Sequence, residues 1–263
     1  MGLLILTFFF GAAVGSFVNV LVERSIAGKD WIKGRSKCDH CGKTLAWYDM
    51  IPLLSYLFYQ GKSRCCHKRL SWRHPLVELL FGTLFVWWLL VGFMFFRLAV
   101  TPLLVIQPLF WLITGVVLLI VAVADAYGGV ILMPLVKIGV VSVVGYRIIL
   151  WLFGQYQLVD GGLALLAGLG YAGFLAGLRY LTKGRGMGEG DPYLAFLLGV
   201  LVGWPRTLVA ALLAFVVGAI VGIILIGLGK KKMGSTIPFG PFMVLGATLA
   251  LWWGEAIIRF LLG

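Results

Sequence analysis

Residues 102–125 read PLLVIQPLFWLITGVVLLIVAVAD, a hydrophobic run that ends on Asp125. Crossing the hydrocarbon core of a bilayer takes about 20 apolar residues in a helix, so this run predicts a transmembrane helix with an acid at its end. Comparable runs occupy residues 1–21, 76–98, 130–154, 160–181, 192–204, 205–228 and 239–263, of which 192–204 is short. The composition agrees, with 61% hydrophobic residues, 12% charged residues and a mean hydropathy of +1.03. Those values exclude an ordinary soluble domain. The expected fold is all-α and integral to the membrane: a polytopic bundle of about eight transmembrane helices with a cytoplasmic, cysteine-containing insert. Residues 1–21 form the first helix, 22–75 the basic insert and 76–263 the remaining bundle.

Charge sets the orientation. Half of the 22 Lys and Arg residues lie between Glu23 and Arg73, and Lys183, Arg185 and Lys230-Lys231-Lys232 follow the fifth and seventh runs. The positive-inside tendency puts these segments in the cytoplasm, leaving Arg97, Arg206 and Arg259 near helix ends on the other side. No positive residue precedes the first run, which therefore reads as a retained helix rather than a secretory signal. The net charge of +12 is then a consequence of topology and of attraction to anionic membrane lipids. Nucleic acid is not expected as a partner.

The insert contains all four cysteines, Cys38, Cys41, Cys65 and Cys66. A reducing compartment disfavours disulfides, whereas Cys38-Asp39-His40-Cys41 has zinc-knuckle spacing and a metal would give a small polar insert folding energy. Cys65 and Cys66 complete a four-thiol set, or Cys66 joins His67 or His40. Free thiols are the alternative. The segment Trp47-Tyr48-Asp49-Met50-Ile51-Pro52-Leu53-Leu54-Ser55-Tyr56-Leu57 is aromatic and aliphatic enough to lie at the membrane surface or beneath the cysteine loops.

Asp125 sits at the negative end of its helix dipole, a poor place for a purely structural aspartate. Asp191 closes Gly188-Glu189-Gly190-Asp191 and precedes Pro192, which fits a helix start with Asp191 as N-cap and Pro192 as the first helical residue. Topology places both acids on the cytoplasmic face, where two carboxylates sharing a proton can activate water against an amide. The helix ends favour Asp191 as the base and Asp125 as the acid. An ion-coupled transporter using Asp125 and Asp191 as a cation or proton site is the alternative.

Glu78, at the start of the second run, reads as a helix-end acid or as a cofactor or substrate contact. Lys137 and Arg147 are expected to snorkel toward opposite membrane faces, with a substrate carboxylate as a further option for Lys137. Glu255 lies toward the outer side, without a catalytic role. Gly173/Gly177 and Gly218/Gly222 have the spacing that lets helices approach closely. Thr182-Lys183-Gly184-Arg185-Gly186 is the candidate hinge.

Several blocks together resemble the type IV prepilin peptidases, polytopic GxGD aspartyl proteases. They are Gly15-Ser16-Phe17-Val18-Asn19-Val20, Cys38-x-x-Cys41, Ile51-Pro52-Leu53-Leu54-Ser55-Tyr56-Leu57, Gly61-Lys62, Leu70-Ser71-Trp72-Arg73-His74-Pro75-Leu76-Val77-Glu78-Leu79-Leu80, Gly186-Met187-Gly188-Glu189-Gly190-Asp191 and Ile237-Pro238-Phe239-Gly240-Pro241-Phe242. The resemblance implies a multi-pass protein of the bacterial cytoplasmic (inner) membrane, active on the cytoplasmic side and serving type IV pili or protein secretion. Its substrate would be a pilin or pseudopilin precursor, cut after a glycine to remove a short basic leader. Many members then methylate the new N-terminus with S-adenosylmethionine. The catalytic pair carries over to Asp125 and Asp191, and the metal ligands to Cys38, Cys41 and Cys66. Ser63 stands where the family has a further cysteine, with Cys65 as its substitute. Leu-Pro-Asp after the first aspartate and a basic residue after the second are absent.

Overall fold

A computed structural model describes residues 1–30, 34–38, 40–98, 103–184, 186–232 and 235–262, with side chains omitted at 94–98 and 261–262. Asp39, Arg185 of the candidate hinge and the side chain of Arg97 therefore lie outside the described residues. The helices are α1 (Gly2–Ile26), α2 (Leu54–Phe58), α3 (Arg73–Leu98), α4 (Leu103–Gly128), α5 (Met133–Leu152), α6 (Leu158–Leu181), α7 (Asp191–Val202), α8 (Arg206–Gly227) and α9 (Gly240–Leu262). A 3-10 turn covers Trp47–Met50. Seven of these helices are long and apolar enough to cross a membrane, and the chain is a multi-pass membrane protein. The eighth apolar helix, α7, has 12 residues. At 1.5 Å per residue it spans about 18 Å, well short of a roughly 30 Å hydrocarbon core.

The chain divides into two compact units, Met1–Val116 and Val117–Gly263, with α4 contributing its first half to one and its second half to the other. In the first unit α1 lies along α3. Glycine permits the approach: a Cβ on Gly11 would sit 2.6 Å from the Phe81 carbonyl oxygen, and one on Gly15 would sit 2.9 Å from Glu78 Cα. Ala12, Val18 and Val22 of α1 and Val77 and Phe81 of α3 fill the interface. Asn19 Nδ2 donates to the His74 carbonyl at 3.2 Å.

In the second unit the short helix is the centre. Nine residues of α7 are buried, namely Asp191, Leu194, Ala195 and every residue from Leu197 to Val202, and it packs on α5, α6, α8 and α9. A helix this apolar on every side belongs in a core rather than at a lipid boundary. It stops at Gly203, whose φ of +77° lies in the left-handed region that glycine enters at little cost. Its last carbonyls are capped from another helix: Arg147 of α5 donates to Val200 O and to Leu201 O and bonds the Tyr156 hydroxyl. Arg147 is thus an internal clamp, in place of the expected snorkelling cation, because unpaired carbonyls at a buried helix end would otherwise carry a desolvation cost. Lys137 is exposed.

The close helix contacts differ from the expected small-residue motifs. Beyond the backbone of their own helix, no described residue comes within 4 Å of where a Cβ on Gly173 or Gly177 would lie, whereas Gly218 and Gly222 meet Phe242 and Ile237 at 3.3 and 3.6 Å. The tight crossings are Gly199 against Gly168, where a Cβ would lie 2.6 Å from Gly168 Cα, and Gly246 against the Ala210 carbonyl at 2.5 Å. Backbone atoms cannot rotate away as a side chain can. Gly199→Ala is therefore expected to destabilise the protein by about 1–3 kcal/mol, while Gly173→Ala is neutral or mildly stabilising through helix propensity. Thermal unfolding of the two variants in one detergent checks the contrast.

Candidate active site

Asp125 lies in the last turn of α4 and Asp191 opens α7, and both are 4% exposed. The Gly240 N–H, at the first residue of α9, donates to Asp125 Oδ2 at 2.7 Å. That bond explains how an acid is tolerated at the negative end of α4, since the N-terminus of α9 brings the opposite partial charge to it. It also explains the glycine, because a Cβ at position 240 would lie 2.7 Å from the same oxygen. Asp191 is not the N-cap expected from the sequence. Helix α7 starts at Asp191 with Gly190 before it, and no side chain caps that end. The Asp191 carboxylate turns back and accepts the Gly188 N–H at 2.8 Å, so the glycine loop shapes a cradle for it. Gly190 is pressed against Ile131, at 2.5 Å from a built Cβ.

The two carboxylates are close enough for the Asp125 charge to act on Asp191. Among the described residues neither makes a second hydrogen bond, leaving one oxygen of each for water or substrate. Arg179, in the last turn of α6, donates to the Met187 carbonyl at 3.1 Å and to Glu189 Oε1 at 2.6 Å. It braces the loop before Asp191 and brings a positive charge within range of that acid. The Tyr171 hydroxyl is buried without a hydrogen-bond partner among the described residues, and it too lies within electrostatic range of Asp191.

In the first unit the four cysteine Sγ atoms all lie within 4.8 Å of one another. Two turns of like design bring them together. Cys38 N–H donates to the Lys43 carbonyl and Ser63 N–H to the Lys68 carbonyl, at 2.9 and 2.8 Å. Short antiparallel bridges, Lys37 with Thr44 and Lys62 with Arg69, close each turn. Ser63 thus occupies the place in the second turn that Cys38 occupies in the first, and the fourth thiol comes from Cys65, next to Cys66. The Ser63 hydroxyl sits 3.2 Å from Cys38 Sγ and 3.1 Å from Cys65 Sγ. It pulls the Cys38 thiol down to about 6, while the neighbouring Cys65 thiol pushes Cys41 up to about 12. His40 is engaged elsewhere, 3.0 Å from the Arg69 carbonyl, so neither it nor the exposed His67 is needed to complete the set.

The Trp47–Leu57 segment is tied to the cysteine turns by Asp49, which accepts Arg64 Nε at 2.8 Å and Nη2 at 3.1 Å. The guanidinium holds the Asp49 carboxyl below its usual range. Leu53 adopts φ +60°, and its N–H donates to Glu78 Oε2 at 2.8 Å. Glu78, 9% exposed, anchors the Ile51–Leu57 block to α3. Glu78→Ala would leave that N–H unpartnered beside a new cavity. It is expected to cost about 1–3 kcal/mol, read as a lower midpoint in thermal unfolding. Glu78 also lines a cavity of about 1080 Å³ with Asn19, Glu23, Tyr56, Lys62 and His74.

Comparisons with known proteins fit this geometry. Residues 9–92 match the Bacterial Peptidase A24 N-terminal domain, and residues 111–223 match the Type IV leader peptidase family. A Prepilin leader peptidase/N-methyltransferase of Bacillus subtilis (strain 168) is 31% identical, the match covering 98% of this chain and 97% of the relative. The chain belongs to the type IV leader peptidase family. Proteins of the same description from Aeromonas hydrophila and Pseudomonas aeruginosa are each 29% identical, over 98% and 96% of this chain and 93% and 91% of the relatives. No solved structure matches. Membership makes this chain an enzyme of the prepilin-processing class, and the transporter alternative finds no support.

Within that family framework, the structure brings together Asp125 with Asp191, and Cys38 and Cys41 with Cys65 and Cys66. Sequence reasoning quoted Gly240 within a block of the resemblance without giving it a role, and missed Arg179 and Tyr171. The signals available were faint: a Gly-Pro helix start for Gly240, and for Arg179 a cation in the last turn before the glycine loop.

Proposed function

We propose that Asp125 and Asp191 are the catalytic pair of an aspartic endopeptidase that removes the leader from type IV prepilin-like precursors. The observation that supports it best is the placement of two buried carboxylates, each held on one oxygen by a glycine N–H and open on the other. In such a pair one carboxylate is ionised and the other carries the shared proton. The ionised group takes a proton from a water molecule as its oxygen attacks the scissile carbonyl carbon, and the protonated group gives its proton to the carbonyl oxygen. The tetrahedral intermediate then collapses. The amide nitrogen accepts a proton from the pair, the C–N bond breaks, and the leader leaves with a new carboxylate while the pilin segment gains a free amine. Arg179 keeps the Gly188 donor in place by bracing Met187 and Glu189.

Charge distribution supports a site on the cytoplasmic face of the bacterial inner membrane, since the basic segments flank the ends of α1, α6 and α8. Pilin or pseudopilin precursors and membrane lipids are the expected partners, without nucleic acid. Cleavage of such a precursor by the purified protein tests the proposal.

The four thiols fit zinc. A tetrahedral ion with Zn–S bonds of about 2.3 Å requires sulfurs about 3.8 Å apart; Cys38 and Cys66 are separated by 3.8 Å, and Cys41 and Cys65, at 3.1 Å, would move apart by a side-chain adjustment to take it. Cys38, Cys41, Cys65 and Cys66 would hold it as a structural cross-link, with Ser63 donating its hydroxyl to the thiolates rather than ligating. For N-methylation, the cavity of the first unit is large enough for S-adenosylmethionine. Glu23 and Glu78 would face its cationic groups and Lys62 its carboxylate. The bound cofactor would supply an electrophilic methyl group for the new amine.

A further inference from the structure

We infer that the end of the second unit remote from Asp191 is a binding site for the phosphodiester head group of an anionic phospholipid. A cavity of about 350 Å³ opens there, lined by Arg147, Arg206 and Arg259 together with Tyr156 and Trp204. It begins at Val202, the last residue of α7, which at 1.5 Å per residue lies about 17 Å along the helix from Asp191. It is therefore separate from the acid pair and independent of the peptidase proposal.

Three guanidinium groups meet at this end against two carboxylates, Asp160 and Glu255. Arg206 is paired with Glu255. Arg147 spends its donors on neutral groups, two carbonyls and the Tyr156 hydroxyl, and the Asp160 carboxylate lies within electrostatic range of it. Arg259 makes no hydrogen bond or ion pair among the described residues. The lining therefore holds one excess positive charge inside a concave site at a helix-bundle end. The charge pattern places that end on the non-cytoplasmic side, where membrane proteins keep few cations. Guanidinium forks match phosphate oxygens, and Trp204 and Tyr156 are the residue types that settle at head-group depth. Phosphate chemistry could come from free phosphate or from a lipid. An intramembrane helix-bundle end with aromatic walls favours the lipid, whose acyl chains would continue along the exposed faces of α8 and α9, at Leu208 and Trp253.

Native mass spectrometry of the full chain in a neutral detergent, titrated with phosphatidylglycerol, tests the site. The first bound phosphatidylglycerol should dissociate at least about tenfold more weakly from Arg259→Gln than from wild type. Arg259→Lys should retain most of the affinity, and Lys230→Gln, a basic residue after α8 at the opposite end, should leave it unchanged. Phosphatidylcholine should bind about tenfold more weakly than phosphatidylglycerol, and millimolar inorganic phosphate should not displace the lipid. Equal affinity for the two lipids, or no change in Arg259→Gln, overturns the proposal. Displacement by inorganic phosphate overturns the lipid assignment in favour of free phosphate.

Discussion

Asp125→Asn and Asp191→Asn are each expected to lower kcat/KM for precursor cleavage by roughly 10³-fold or more, with the fold intact. Asn keeps the size of Asp and an oxygen that can still accept the Gly240 or Gly188 N–H, so the local frame survives. What it loses is the ability to exchange a proton, on which both the attack of water and the departure of the amine depend. Stability should not fall. Both carboxylates are 4% exposed, and removing a charge from such a site relieves a desolvation cost, so the variants should unfold at or above the wild-type temperature. Circular dichroism and thermal unfolding establish that the comparison is between folded proteins.

Cys38→Ala is expected to have the second large effect, on the insert rather than on the acids. Structural zinc sites contribute about 10 kcal/mol or more to the folding of the segment that holds them. Among its described residues, the insert between α1 and α3 otherwise has a five-residue helix, a 3-10 turn and two short antiparallel bridges. Metal content by elemental analysis should fall from one zinc per chain to well under half, and the segment between α1 and α3 should become the first site of limited proteolysis. Cys65→Ala should behave alike, because Cys65 supplies the thiol that the second turn lacks at Ser63. Ser63→Ala should keep the metal, since the Ser63 hydroxyl is a hydrogen-bonding neighbour of Cys38 and Cys65 and not one of the four thiols. Retention of full zinc in both cysteine variants would rule out the four-thiol site.

The sequence was most informative where the physics is local. Each membrane helix announces itself as an apolar run bounded by Gly, Pro or charge, and α4 through α9 lie within a few residues of the expected runs. Asp125 and Asp191 were visible because an acid at the end of such a run is costly without a use. That two glycines donate to those acids was not. Gly240 lies 115 residues from Asp125, and no periodicity links them. Asp191 was misread as an N-cap because the local pattern Gly-Asp-Pro fits one, whereas the glycine loop offered its carboxylate a nearer donor in Gly188. Arg147 was misread as a snorkelling cation because the sequence does not show that α7 ends inside the protein with carbonyls to satisfy. The Gly173/Gly177 spacing misled for a related reason. Spacing defines a helix face, but only packing decides whether that face meets another helix, and here Gly168 and Gly199 make the contact.

The most direct test of the acid pair is a double-mutant comparison of precursor cleavage by wild type, Asp125→Asn, Asp191→Asn and the double variant, in one lipid or detergent. If the two acids work as one proton-sharing unit, each single variant loses nearly all activity and the double variant is no slower than the slower single. If either single variant still cleaves near the wild-type rate, or if the two losses multiply in the double variant, Asp125 and Asp191 do not form the catalytic pair.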